Sequence, residues 1–479
     1  MSNVVKMQEN RAYSEASKHR SPSSQILFIT ILATSLGFVL VQLDVSIVNV
    51  ALAQIGTSLG TGVAGLQWVV DSYALLFASL LLFAGTLADR IGARKAFMSG
   101  FALFVVASLA CGLAPVPAVL IAARAIQGIG AAFLVPCSLA LLNHACHNDG
   151  VTRARAVGLW TAAGSVALAA GPVIGGFLVH ALSWRSIFFV NLPLGAIGIW
   201  LTWRFVEEST THHAGRFDLV GQILAIITLS SLTAAMIETG VLGWTSPLVL
   251  LGFGLAVVCA VAFVLVERRV EAPMLPLSFF KNPTFSAATL IGFVINLTLY
   301  GIIFILSLYL QQFRHYSAIE FGIAFLPFPL VLLVSNLTAG WLGGKIGSRP
   351  LMVAGLLVAT IGYWLLRGLD PATPYATMLP GLLVLPLGIG LAVPAMTTAL
   401  LATVSRSRSG LASGVLNTVR QAGGAIGVAL FGSLLARSAI QGISLAFIIS
   451  AVMAIFAALV ALVGIRSAKK APFNGSQDG

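Results

Sequence analysis

Three ionisable residues stand where their surroundings make a charge costly. Asp44 interrupts the apolar run 26–54, Asp71 the run 66–87 and Arg124 the run 117–142, in a chain that is 58% hydrophobic and 9% charged. A carboxylate inside hydrocarbon costs several kcal/mol and is kept there chiefly where it binds or moves something. Burial favours the neutral form of a carboxyl, while a neighbouring arginine or a cationic ligand favours the ionised form. A carboxyl held between those two pulls can exchange a proton for another ligand. Arg124 is permanently charged and cannot itself carry that proton. Its part would be to bias a carboxylate or hold a polar network, and a plain interhelical ion pair is the simpler alternative. For Asp44 and Asp71 the simpler alternative is an interfacial acid that caps a helix or reaches for water.

These residues need a scaffold, and composition supplies its class. The chain has 479 residues and a mean hydropathy of +0.98, outside the range of a soluble domain. It reads as an all-α polytopic membrane protein. Apolar windows of about 20 residues, each enough to cross ~30 Å of hydrocarbon, recur at 26–54, 66–87, 97–114, 117–142, 156–180, 187–206, 218–239, 247–266, 284–311, 319–343, 351–366, 376–402, 411–436 and 441–465. With these spans, Asp44 lies about 18 residues into the first, some ~27 Å along the helix. Asp71 reaches a similar height on the antiparallel second span, and Arg124 lies near the same level on the fourth.

Lys and Arg test the count, because one missed helix would invert every later loop. Most of the 27 basic residues fall in the tails and loops placed on one side. Arg185, Arg314, Arg367 and Arg437 fall on the other, and Arg124 and Arg420 within spans. By the positive-inside rule that side is the cytoplasm, so both termini are cytoplasmic. The polar first residues lack the order of a cleavable signal, and the first apolar run is expected to stay as an anchor.

The densest charged turn is Gly85-Thr-Leu-Ala-Asp89-Arg90-Ile-Gly92-Ala-Arg94-Lys95. A related string returns in the second half, where Gly340, Gly347 and Arg349 match Gly85, Gly92 and Arg94 at a constant offset. The chain is therefore two similar halves. The offset is too long for six helices alone, so two helices are inserted between the halves, giving two six-helix bundles plus two inserted helices. Expected units are a tail over 1–25, bundles over 26–206 and 283–466, the insertion over 207–282 and a tail over 467–479. Asp89, Arg90 and Arg94 could form ion pairs that gate the cytoplasmic side, with Gly85 and Gly92 allowing close approach. Topogenic charge accounts for the arginines without gating, though not for Asp89.

Several local strings together resemble the major facilitator superfamily, and within it the fourteen-span drug:proton antiporter branch. The loop Gly85 to Lys95 is similar to the signature between spans 2 and 3. Leu43-Asp44-Val-Ser-Ile-Val-Asn49-Val-Ala-Leu52 resembles the span 1 string, Arg124-Ala-Ile-Gln127-Gly128-Ile-Gly130 the basic motif of span 4, and Gly171-Pro172-Val-Ile-Gly175-Gly176 the antiporter motif of span 5. Trp184-Arg185 through Asn191-Leu-Pro193-Leu-Gly195 resembles the opening of span 6. Departures are Ala53 where proline is common and Gly344 where Asp89 would repeat. The resemblance implies a major facilitator fold and proton-coupled export of amphiphilic drugs or related compounds by alternating access. It also implies a bacterial inner-membrane location; the oligomeric state stays open, a monomer being favoured because each two-bundle unit can transport alone. Asp44, Asp71 and Arg124 would serve proton coupling, and Gly171, Pro172, Gly175 and Gly176 the export motif.

Further candidates for substrate or network contacts are Asn49, Gln127, Asn417 and Arg420. The expected partners are a small-molecule substrate, protons and the lipid bilayer, with no nucleic acid despite the net charge of +12, and no cofactor. His144, Cys146, His147 and Asp149 suit no common zinc spacing, nor does the pair His212-His213. The four cysteines show no short spacing that suggests a disulfide framework. Aromatics such as Tyr73 and Tyr300 read as belt or core residues, a subset of which could line an apolar cavity. An uptake or metabolite carrier, a flippase for lipid or envelope precursors, and a polytopic membrane enzyme are the alternatives. The enzyme reading lacks a nucleophile, base or metal cluster, and no phosphate-binding loop for direct ATP coupling occurs.

Overall fold

The computed structural model describes residues 24–146, 150–208, 218–270, 273–405 and 408–465, and among them every regular element is helical. Fourteen of these helices are long and apolar enough to span a bilayer, in the order the hydropathy predicts. We number them α1 Ser24–Leu59, α2 Val63–Ile91, α3 Ala93–Gly112, α4 Pro117–Ala145 and α5 Gly150–Ala181. Next, α6 comprises a short turn Ser186–Phe189 and the helix Asn191–Phe205, and the inserted pair is α7 Leu219–Leu242 and α8 Pro247–Glu267. The second half has α9 Pro283–Leu308, α10 in two segments, Ala318–Phe325 and Pro327–Ile346, α11 Ser348–Leu366, α12 Tyr375–Leu401, α13 Ser409–Arg437 and α14 Ala439–Gly464. Apart from the carbonyls facing internal prolines such as Pro136 and Pro172, the backbone polar groups inside such a segment pair within the helix, the condition for crossing hydrocarbon.

Starts and stops follow local chemistry. Proline opens α4, α8, α9 and the second segment of α10 at a position whose N–H has no helical partner. Asp218 caps α7 by accepting from the Gly221 amide, and Ser317 and Glu320 form a reciprocal capping box at α10. Gly92 and Gly347, at φ 97° and 87°, turn the chain from α2 into α3 and from α10 into α11. The repeat extends to contacts: Arg94 at the start of α3 donates to the Trp203 carbonyl of α6, and Arg349 at the start of α11 donates to the Leu462 carbonyl of α14.

We call the side of Gly92 and Gly347 the basic side and the opposite one the far side. Where the halves meet, α2 runs along α13, with a Gln67 side chain donating to the carbonyls of Val428 and Ala429 at 3.2 and 2.8 Å. At the other seam α5 meets α10 only at the far side. There a Cβ on Gly176 would lie 2.7 Å from the Ala318 carbonyl oxygen and one on Gly322 2.4 Å from that of Pro172. Nearer the basic side, a Cβ on Gly158 of α5 or on Gly340 or Gly344 of α10 would meet nothing within 4 Å. The π-helical turn Tyr309–Phe313 that ends α9 adds a further far-side closure, since Ser307 and Gln311 both donate to the Asn49 carbonyl of α1.

The inserted helices form a hairpin laid over the α2–α13 seam. Gln222 of α7 donates to the Ser79 carbonyl of α2 at 2.6 Å, and Gly240 packs against Ser433 and Ala436 of α13. Only 17% of the most apolar stretch of α8 is buried, against 78% for α9, so α8 is peripheral and α9 central.

Candidate functional site

Asp44 and Arg124 meet inside the N-terminal bundle. Arg124 Nη1 lies 2.5 Å from Asp44 Oδ2, with both side chains almost wholly buried. Gln127, one turn along α4, donates from Nε2 to Asp44 Oδ1 at 2.8 Å and accepts from Arg124 at 2.7 Å. The set spreads over further helices: Asn191 at the head of α6 donates to Asp44 Oδ1 at 3.1 Å, and Ser108 of α3 takes bonds from Gln127 and Asn191 at 2.8 and 3.3 Å. From α2, the Val69 carbonyl accepts from Arg124 Nε at 3.1 Å and the Tyr73 ring lies 4.2 Å beneath the guanidinium. Five helices thus meet around one carboxylate, which accepts from three side chains.

Asp71 stands apart from this network. Tyr73, which faces Arg124, is two residues on and so about 200° around the helix; Gln67, one turn before Asp71 on its own face, reaches α13. Asp71 therefore points away from the ion pair, fully buried, and neither of its carboxyl oxygens has a hydrogen-bond partner among the described residues. Equal height on adjacent helices did not bring the three charged residues together, because height leaves the helical phase open.

Next to the pair, between the bundles, is a cleft with two lobes. One, with an enclosed volume of about 40 Å³, is walled by Tyr73, Phe77 and Arg124 on one side and by Tyr300, Gln421 and Val428 on the other. The second, also about 40 Å³, is walled by Leu168 and Pro172 of α5 and by Phe321, Phe325 and Phe328 of α10. Val45, Asn49 and Tyr300 border both. Asn49 thus lies at the cleft, while its side chain donates to the Val45 carbonyl at 3.0 Å.

The glycines of α5 are contact surfaces. A Cβ on Gly171 would overlap Ser46 of α1, and one on Gly175 would sit 2.7 Å from Ile47; Gly176 and the Pro172 carbonyl face α10. In the charged loop, Gly85 has only an ordinary contact with Pro136, and Arg90 is exposed at the end of α2. Arg94 is engaged with α6 and the segment after it: its side chain takes the Trp203 carbonyl and its amide donates to Glu208 Oε1 at 2.9 Å. The Asp89 side chain, His147, Asp149, His212 and His213 lie outside the described residues. In α13, Arg420 donates to Asn296 Oδ1 of α9 at 3.3 Å, and Asn417 is half-buried one turn before it.

Sequence reasoning gave no role to Ser108, Asn191 or Glu208, and named Tyr300 only among aromatics that could line a cavity. Asn191 lay in the span 6 string, whose order was a usable signal; a serine in an apolar helix carried none.

A family model described as the Major Facilitator Superfamily matches residues 34–428 and, in a second match, 288–479. A methylenomycin A resistance protein of Streptomyces coelicolor is 40% identical over 407 residues, 85% of either chain. The multidrug resistance protein Stp of Mycobacterium tuberculosis is 40% identical over 408 residues, 85% of this chain and 76% of that one. Among solved structures, the nucleoside transporter NupG superposes with a TM-score of 0.63 over 92% of this chain and 100% of that one, at 14% identity, a likeness of fold.

Proposed function

The chain belongs to the Major Facilitator Superfamily, and from that premise we propose that it exports drugs or related amphiphilic compounds in exchange for protons. It is a membrane transporter rather than an enzyme. The observation that carries the export reading furthest is the cleft between the bundles, apolar and aromatic, with α5 and α10 in close contact at its far side. With the basic side in the cytoplasm of a bacterial cell, as its charges favour, this is the state that loads substrate from within. The resistance and multidrug names of the relatives support export of such compounds.

Coupling is read from the shared wall. Arg124 and Tyr73 border the cleft, and Asp44 holds Arg124 in place. A proton arriving on Asp44 removes the charge that Arg124 neutralises and frees the guanidinium to shift against Tyr73, so the cleft wall changes with protonation. Substrate and proton then favour different arrangements of one network, which is the differential affinity that exchange needs. Asp71 offers a second proton site, since an uncompensated carboxylate in its place would be costly.

The test uses inverted membrane vesicles with an acid interior, challenged with a panel of amphiphilic antibiotics, acids and cations, for the wild type and Asp44→Asn. Substrate-evoked loss of the gradient in the wild type, absent in the variant, is the expected result. A wild-type response retained in full by Asp44→Asn removes Asp44 from the coupling step.

A further inference from the structure

Two arginines, Arg124 and Arg420, lie deep inside the spans rather than in their end turns, and among the described residues only Arg124 has a carboxylate partner. Arg124 is neutralised by Asp44. Among the described residues no carboxylate forms an ion pair with Arg420, which donates instead to the neutral Asn296 Oδ1. That uses one of the five N–H donors of a guanidinium. Its position follows from the period of α13: Asn417, Arg420, Gln421, Gly424 and Val428 share one face, and the last three of these border the cleft. The adjoining face carries Gly423 and Gly427, which pack against the Phe293 and Leu297 carbonyls of α9. Arg420 sits at the edge between the two faces. Its stem passes Gly292 of α9, where a Cβ would lie 3.1 Å from Arg420 Cγ, and its head reaches Asn296, one turn from the cleft residue Tyr300.

Among the described residues, no aspartate or glutamate lines the cleft. Its apolar end is a bank of rings, Phe321, Phe325 and Phe328, stacked at centroid separations of 5.5 and 5.1 Å. A cation entering this space would meet no counter-charge, with Arg420 near its edge. An anion would find an aromatic shelf for its body and, at the edge of the cleft, a guanidinium with donors to spare, in the two-pronged geometry suited to a carboxylate. We propose that Arg420 is the counter-charge for the transported compound and that the cleft prefers amphiphilic organic acids, an apolar ring system bearing one carboxylate, over amphiphilic cations. The direction of transport rests on the export reading; the preference in binding does not.

The experiment measures binding to the full-length protein in phosphatidylcholine nanodiscs. Three probes share one ring system and differ in charge: 1-naphthaleneacetate, 1-naphthaleneacetamide and 1-naphthylmethylamine. The expected order is acid, then amide, then amine, with the acid favoured over the amine by ~10-fold or more, the scale of one charge-assisted paired contact. Arg420→Gln should abolish the preference while leaving amide binding in place, and Arg420→Lys should keep part of it. Retained amide binding shows that the variants fold.

An amine bound as tightly as the acid, no binding by any probe, or a preference that survives Arg420→Gln overturns the proposal. Adding phosphatidylglycerol to the nanodiscs separates drug from lipid. Loss of acid binding in its presence would assign the counter-charge to a lipid headgroup and overturn the substrate class. In the vesicle assay, response to cations but not to acids sinks the preference and leaves export standing; no transport of any compound, with the binding order intact, sinks export and leaves the Arg420 site standing.

Discussion

At the scale of the residue, Asp44 and Arg124 hold each other in place. Removing one charge leaves the other buried without compensation, at ~3–5 kcal/mol. We therefore expect Asp44→Asn and Arg124→Gln each to lower the thermal midpoint of the purified protein clearly. The double variant should recover much of that loss, which a thermal melt of all three checks. Gly92 makes a separate demand: at φ 97°, with Glu208 Oε1 2.5 Å from where a Cβ would stand, Gly92→Ala should cost ~1–3 kcal/mol, read in the same melt. Asp44 and Arg124 stood out singly in the sequence because a charge inside an apolar run is rare, while which carboxylate Arg124 would meet stayed open. Their partners Ser108 and Asn191 did not, since small polar residues are unremarkable in such helices and one sequence leaves the phase of each helix free. Asp71 gave the same signal as Asp44 and turned out to face another way. The difference lies in rotation about the helix, which hydropathy does not encode.

Among the elements, α5 and α10 make the contact that closes their seam at the far side. The spans themselves were readable because the apolar runs are long and the charges few, and the Gly-Pro string marked α5 as a packing surface. Its partner across the seam was not readable, since the segment Ala318–Phe325 belongs to the other half of the chain and carries no matching string. The close approach of Gly322 to the Pro172 carbonyl gives the expected outcome: Gly322→Leu pushes the far ends apart and favours the state open to the far side. The check is labelling of Asn49→Cys at the cleft by a membrane-impermeant maleimide applied from the far side. Faster labelling in the Gly322→Leu background is predicted, against a low background because Cys111, Cys137, Cys146 and Cys259 are all buried. Unchanged labelling would mean that the α5–α10 contact does not govern closure.

For the whole molecule, the two seams between the halves are unequal. On one, α7 is fastened to α2 at its basic-side end through Gln222 and Ser79 and packed on α13 at its far-side end through Gly240 and Ser433. A disulfide joining Gly240→Cys to Ser433→Cys, whose backbones approach closely enough for one, should leave transport running, because α7 and α13 move there as one body. Transport that stops until the bond is reduced would instead require α7 to slide along α13. The other seam, between α5 and α10, has no such cover among the described residues. On the export reading, a compound dissolved in the bilayer would therefore meet a wall on the flank covered by α7 and could enter only at the other, which would give the molecule a front and a back within the plane of the membrane.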